Sequence, residues 1–266
     1  MPEGDNVLRV ARILERELAG RRLDRVELRD RGAVPELAGR AVERIEARGK
    51  HMLVHLEGGW SVRVHLGMNG RWTRLHVDQR RPRDVAVLLV CGEVAYVCAR
   101  AYRPELLRTT ALRTHPRLAR LGPDLLAEAP DIDAAVARAT VAAHARREIG
   151  DVLLDQRIAA GIGNIYKSEV LFECRVHPRD RVGDLGPETL RSLYEKAAHL
   201  MRLELLTRRT VVPLRRRATP STQRLWVYRR TRKPCLDCGT PIERFLQGDM
   251  GRWTYFCPSC QRMLRP

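Results

Sequence analysis

Residues 153–172 read Leu153-Leu154-Asp155-Gln156-Arg157-Ile158-Ala159-Ala160-Gly161-Ile162-Gly163-Asn164-Ile165-Tyr166-Lys167-Ser168-Glu169-Val170-Leu171-Phe172. The apolar-rich run Leu153 to Ala160 predicts a helix, Gly161 to Asn164 a tight double turn, and Ile165 to Phe172 a second helix that His177-Pro178 stops. Two glycines permit positive φ and close approach. Asn164 can cap the second helix and leave backbone amides at a positive helix end that suits phosphate. A purely structural αα-hairpin would show the same local pattern, so the flanking sequence has to decide what the turn is for.

On the C-terminal side, Cys235-x2-Cys238 is followed after 18 residues by Cys257-x2-Cys260. Two close pairs can supply four thiolates to one tetrahedral ion, and zinc is the expected metal. Gly248-Asp249 between Ile242–Leu246 and Trp253–Phe256 suggests a turn joining two short strands, a β-hairpin zinc ribbon. Disulfides or free thiols are the alternatives for these cysteines. Four sulfur ligands leave no open coordination position, so such a zinc would be structural. Before the ribbon, the basic stretch Thr207 to Gln223, centred on Arg215-Arg216-Arg217, reads either as a solvated linker or as a phosphate contact.

On the N-terminal side, Leu121-Gly122-Pro123-Asp124 breaks the pattern and suggests a domain boundary, with helical periodicity from Ile132 to Leu206 beyond it. From Asp5 to Gly20 the apolar residues Val7, Val10, Ala11, Leu14 and Leu18 line one face of a helix that starts just after Pro2 and Glu3. The period then becomes two. Val62, Val64 and Leu66 alternate with Ser61, Arg63 and His65, and Gly58-Gly59 separates this run from Met52 to Leu56 as a hairpin would. Similar segments at Asp84–Val90 and Glu93–Cys98 flank Cys91-Gly92, so residues from about 20 to 115 predict a sandwich or barrel.

The chain has 266 residues, 44% of them apolar, enough for one large or two to three small domains with cores. Its 49 Lys and Arg outnumber 32 Asp and Glu, a net charge of +17, which favours a polyanionic partner, nucleic acid first. Only Lys50, Lys167, Lys196 and Lys233 are lysines. No stretch approaches the ~20 apolar residues of a membrane span and no secretory signal is visible, so an intracellular, cytoplasmic and nucleoid-associated protein is expected. Cys91, Cys98 and Cys174 stand apart in apolar context, as buried thiols of a reducing compartment do. An RNA-binding reading lacks an aromatic platform, since Phe, Trp and Tyr make up 5% of the chain.

Taken together, these features resemble the formamidopyrimidine-DNA glycosylase and endonuclease VIII family, and the resemblance covers essentially the whole chain. Its anchors, in order, are Met1-Pro2-Glu3-Gly4, Arg48-Gly49-Lys50, His65-Leu66-Gly67-Met68-Asn69-Gly70, Leu121-Gly122-Pro123-Asp124, the Leu154 to Glu169 pair of helices with its double turn, and the cysteine ribbon. The fold implied is α+β and multidomain: an N-terminal β-sandwich with a leading helix over residues 1–122, a helix-two-turn-helix domain over 123–225, and a zinc ribbon over 226–266. The function implied is a bifunctional DNA glycosylase and abasic-site lyase of base excision repair. Its partner would be damaged duplex DNA with one nucleotide flipped out, engaged by a monomer.

The resemblance also assigns roles to residues. With Met1 removed, the secondary amine of Pro2 becomes the nucleophile that attacks the sugar C1′, and an iminium then permits β,δ-elimination; otherwise Pro2 merely opens a helix. Glu3 is implied as general acid and proton shuttle, in place of a simple partner for the helix dipole. Lys50 matches the lysine placed near the scissile phosphodiester, and Arg252 the ribbon arginine that grips phosphates and is linked to δ-elimination. Asn164 matches a phosphate-binding asparagine, Arg120 an interdomain DNA contact, and Met68 the apolar wedge that fills the gap left by the flipped nucleotide. Cys235, Cys238, Cys257 and Cys260 would hold one structural Zn2+.

Two departures bear on substrate. Asn6 stands where the family often has Glu, and the Arg-Arg-Phe-Gly loop is not visible near Cys98-Ala99-Arg100-Ala101-Tyr102. Gly4 and Leu153-Leu154-Asp155-Gln156 lean towards the endonuclease VIII branch, so oxidised pyrimidines are expected as substrates in preference to oxidised purines. The competing reading is a non-enzymatic zinc-ribbon DNA-binding protein, separated from the enzyme only by Pro2, Glu3 and Lys50.

Overall fold

The computed structural model describes residues 2–207 and 225–264; the basic stretch centred on Arg215-Arg216-Arg217 lies outside them. The chain forms two compact units, the first running to Arg120 and the second starting at Leu121.

The first unit opens with α1 (Gly4–Leu18), whose Val7, Val10, Ala11, Leu14 and Leu18 are all buried, the stripe that a 3.6-residue period demands. Gly20, at φ +77°, follows its end. Two antiparallel sheets come next. One holds β1 (Arg25–Leu28), β2 (Gly32–Ala33), β6 (Arg71–His76), β7 (Val85–Cys91) and β8 (Val94–Ala99) in the order β2-β1-β7-β8-β6. The other holds β3 (Val42–Arg48), β4 (His51–Leu56), β5 (Trp60–His65) and β9 (Tyr102–Arg108) in that order. Met52, Val54 and Leu56 of β4 and Val62 and Val64 of β5 join Val26, Leu28, Val87 and Leu89 in a single core that also takes in the buried face of α1. This is the expected sandwich with a leading helix. Because strand side chains alternate, residues 51, 53 and 55 of β4 and 61, 63 and 65 of β5 share the opposite face, where His55, Ser61 and Arg63 are buried polar groups.

The second unit contains α2 (Ile132–Ala139), α3 (Ile149–Val152), α4 (Asn164–Glu173), α5 (Pro187–Thr207) and the hairpin of β10 (Glu243–Gln247) and β11 (Arg252–Phe256). Leu190, Leu193, Tyr194, Ala197 and Met201 of α5 close its core against Ile149, Val152, Ile162, Val170 and Leu171. Helical periodicity from Ile132 to Leu206 is thus carried by separate helices. The helix expected over Leu153–Ala160 is displaced: α3 is one turn lying before that stretch, and the backbone from Leu153 to Gly163 is irregular.

Polar side chains explain the displacement. Gln156 Nε2 donates to the carbonyls of Leu154 (2.8 Å) and Ile162 (3.0 Å), and its Oε1 accepts the amide of Gly161 (3.1 Å). Asp155 Oδ1 accepts the amide of Arg157 at 3.1 Å. Side-chain bonds of this kind compete with the helical ladder. Here they build the double turn, in which Gly161 sits at φ +113°.

Leu121-Gly122-Pro123-Asp124 docks on this loop. Gly122 donates its amide to Gln156 O (2.9 Å), Ala160 donates to Pro123 O (2.9 Å), and Asp124 bridges Ala160. A Cβ on Gly122 would lie 2.3 Å from the carbonyl oxygen of Ile158, so only glycine allows the approach. Gly122→Ala should therefore cost about 1–3 kcal/mol, measured as a lower denaturant midpoint with an unchanged slope.

Candidate active site

In the first unit, Pro2 precedes α1 and is partly exposed, while Glu3 is its N-cap, extended at φ −115° and 1% exposed. Glu3 makes no side-chain cap bond; its carbonyl accepts the amide of Val7 at 3.0 Å. The helix runs antiparallel to β3: Ala19 bridges Val42, and Glu15 accepts the amide of Ile45. From Glu15 back to Gly4 the helix climbs roughly 16 Å, and from Ile45 on to Gly49 the strand climbs roughly 13 Å. Pro2 and Glu3 therefore lie at the end of the unit that carries the β3–β4 turn, and Lys50 sits in that turn, closed by the Arg48–His51 pair.

Beside the turn, His51 and His65 face each other across β4 and β5 with ring centroids 4.9 Å apart. Burial, then the charges of Arg63, Lys50 and Arg117, hold the His65 imidazole down to about 4. Lys50 directly precedes His51, the strand partner of His65. The sequence offered His65 only as part of an anchor motif, and its pairing partner was not visible there.

Met68 stands on the turn after β5 and is 50% exposed. Tyr102, 49% exposed, lies beside the preceding residue, its backbone N 3.8 Å from where a Cβ on Gly67 would be. Arg117 lies over the Tyr102 ring at 5.3 Å. The stretch lacking an Arg-Arg-Phe-Gly motif is a two-residue connection, Arg100-Ala101, between β8 and β9, with Arg100 at φ +57°. Tyr102 is thus an exposed aromatic beside the turn that carries Met68, one that the sequence pattern did not single out. Arg120 is exposed and is the last residue of the first unit.

In the second unit the structure brings Asn164 and the start of β11 together. Gly163, not Asn164, occupies the N-cap of α4. Asn164 donates its Nδ2 to the carbonyl of Trp253 at 2.8 Å, beside Arg252, and its buried Oδ1 has no hydrogen-bond partner. The expected cap is corrected because the side chain turns away from its own helix to reach the ribbon. One turn on, the fully buried Lys167 donates to Thr254 Oγ1 (2.6 Å), which donates to Gln247 Oε1 (2.7 Å). Gln247 Nε2 in turn donates to Glu148 and to Pro178 O, both at 2.8 Å. Further along α4, Glu169 accepts the amides of Trp226, Val227 and Tyr228 at 2.7, 3.1 and 2.8 Å.

The sulfur atoms of Cys235, Cys238, Cys257 and Cys260 all lie within 4.8 Å of one another. Two pairs, Cys238–Cys257 at 3.5 Å and Cys235–Cys260 at 3.9 Å, are far longer than a disulfide. A tetrahedral thiolate site with ~2.3 Å bonds separates its sulfurs by ~3.8 Å, so the four cysteines fit a metal ion.

The Formamidopyrimidine-DNA glycosylase N-terminal domain family matches residues 1–103, and the Formamidopyrimidine-DNA glycosylase H2TH domain family matches 121–213. The chain is 40% identical to a probable endonuclease 8 2 of Streptomyces coelicolor, over 98% of this chain and 94% of the relative. It is 35% identical to a DNA-(apurinic or apyrimidinic site) lyase Nei2 of Mycolicibacterium smegmatis, over 98% and 99%. In fold it matches a Lactococcus lactis FPG mutant solved in complex with Fapy-dG containing DNA, at TM-score 0.83 and 24% identity, covering 98% of this chain and all of that one. The chain belongs to the formamidopyrimidine-DNA glycosylase and endonuclease VIII family.

Proposed function

We propose that this chain is a DNA glycosylase and abasic-site lyase that excises oxidised bases, pyrimidines in preference, from duplex DNA. The observation that carries the reading is the Pro2-Glu3 pair placed directly before α1, at the end of the unit that bears Lys50, in a chain related over its full length to an abasic-site lyase. The net charge of +17 suits a phosphate backbone. Gly4 and the Leu153-Leu154-Asp155-Gln156 run, together with relatives named endonuclease 8, support the pyrimidine preference.

In this reading the Pro2 nitrogen, freed by loss of Met1, attacks C1′ of the flipped nucleotide, and the glycosidic bond breaks as the base leaves. Glu3 donates a proton to the sugar ring oxygen, the ring opens, and the C1′–N bond becomes an iminium. Loss of the C2′ proton then expels the 3′ phosphate by β-elimination with Lys50 beside it, and δ-elimination releases the 5′ phosphate. Asn164 and Arg252 grip phosphates, Arg120 adds a further DNA contact, and Met68 wedges into the vacated stack. Cys235, Cys238, Cys257 and Cys260 hold one zinc ion, whose contribution is structural.

Three outcomes are expected. Borohydride should trap a covalent adduct of the processed protein with abasic-site DNA, and an uncleaved N-terminal tag should abolish trapping while DNA affinity persists. If the tagged protein traps equally well, Pro2 is not the nucleophile. If neither form traps on any lesion, the chain is a non-enzymatic binder. Glu3→Gln should slow base excision by on the order of 10²-fold or more while sparing cleavage at a preformed abasic site; equal losses in both assays would remove Glu3 from the glycosylase step. Cys257→Ser should release zinc by elemental analysis, and stoichiometric zinc in that variant would contradict its assignment as a ligand.

A further inference from the structure

The outward face of the four-stranded sheet carries a buried chain of charged and polar groups that the proposed mechanism does not use. Arg63, at the centre of β5, is 0% exposed and forms a two-pronged ion pair with Glu105 of β9, one arm being Nε to Oε2 at 3.0 Å. His115 Nε2 reaches the same carboxylate at 2.8 Å. The remaining arm of Arg63, Nη1, lies 2.9 Å from His51 Nδ1. Leu112 and Leu118, from the segment after β9, are buried as well. A guanidinium left in such a place without partners would cost several kcal/mol, so its partners must be met in fixed geometry.

Arginine has only donors, so its bond makes His51 Nδ1 an acceptor and puts the ring proton on Nε2. His65 is held in the same tautomer, since its Nδ1 accepts the amide of Gly67 at 3.2 Å. His51 is also the residue whose pairing with Arg48 closes the turn carrying Lys50. We propose that Arg63 is a positioning residue for Lys50, acting through the His51 imidazole that it holds as a hydrogen-bond acceptor at the foot of the turn. The inference rests on the role given to Lys50 above.

The electrostatics agree with the geometry. Burial, then His65, Arg63, His115 and Arg117, push His51 down to about 3. His65 faces Arg63, Lys50 and Arg117 and lies at about 4. Burial pushes the Glu105 carboxyl up, but the bonds from Arg63 and His115 outweigh it and leave it at about 2. Between pH 5 and 8 His51 and His65 therefore stay neutral, with the Glu105 carboxylate ionised.

The test compares native protein with Arg63→Met on DNA carrying a preformed abasic site, measuring borohydride trapping and single-turnover strand cleavage in parallel from pH 5 to 8. Trapping reports the Pro2 amine and cleavage the step at Lys50. The variant should trap within about twofold of native but cleave on the order of 10- to 100-fold more slowly. Removing the guanidinium should also raise both imidazole midpoints, since Arg63 is one of the charges that hold them down, while burial keeps them below the ordinary value of about 6.5. Histidine NMR should show the His51 midpoint rising. A folded variant with the native cleavage-to-trapping ratio overturns the proposal, and so does an equal loss of both activities or an unmoved His51 midpoint. If Arg63→Met does not fold, His51→Asn, which keeps an acceptor, should retain cleavage while His51→Leu loses it; equal rates for the two overturn it. If native protein traps nothing, the functional reading fails, and the His51 titration still decides whether Arg63 holds that ring.

Discussion

The second unit depends on one buried carboxylate. Glu169 of α4 accepts three consecutive backbone amides, from Trp226 to Tyr228, and so ties the segment entering the cysteine ribbon to the helix that leaves the double turn. Burial pushes its carboxyl up, and the three amide bonds oppose that shift without cancelling it. The ribbon needs the tie because its own core is small: Val227, Tyr228, Cys235, Ile242, Tyr255 and Cys257 close around Phe172 of the same helix, with Ile165, Trp226 and Cys260 packed against them. Asn164 and Lys167 then meet β11 in register, which is why Asn164 ends up beside Arg252.

The first unit is governed by the alternation of two strands. Inward residues of β4 and β5 are apolar and fuse two sheets and a helix into one core. Outward on the same strands, His51, His55, Ser61 and Arg63 are polar and still buried, and they find partners across the sheet: His55 with Ser61, Ser61 with Thr109, Arg63 with Glu105 and His51. A buried apolar face already forbids a one-residue slip, and fixed hydrogen-bond partners on the other face forbid a two-residue one as well. The polar face therefore specifies where the β3–β4 turn sits, and with it the lysine in that turn.

What the sequence revealed follows from how local each signal is. The α1 stripe, the Gly58-Gly59 hairpin and the paired cysteines depend on neighbours a few residues away, and each appears where its pattern put it. The first helix before the double turn was misplaced because Gln156 and Asp155 divert the backbone, an effect that apolar periodicity cannot register. Asn164 looked like a cap because its partner, the Trp253 carbonyl, lies 89 residues away. The Arg63–Glu105 pair, 42 residues apart, could not be read at all: it depends on strand order, and a buried arginine in an arginine-rich chain resembles an exposed one.

Gln156 has a consequence for the mutational neighbourhood of this fold. Its amide gives two hydrogen bonds to carbonyls and takes one from an amide, so the site selects for a particular arrangement of protons. Glutamate has nearly the same shape and is one nucleotide change away, yet it would set carboxylate oxygens against two carbonyl oxygens. Leucine or methionine would leave three backbone groups wanting partners. Substitution scales that score by size or hydropathy would rate Gln156→Glu among the mildest changes in the chain; counted by donors and acceptors it is a harsh one, and this position should drift little.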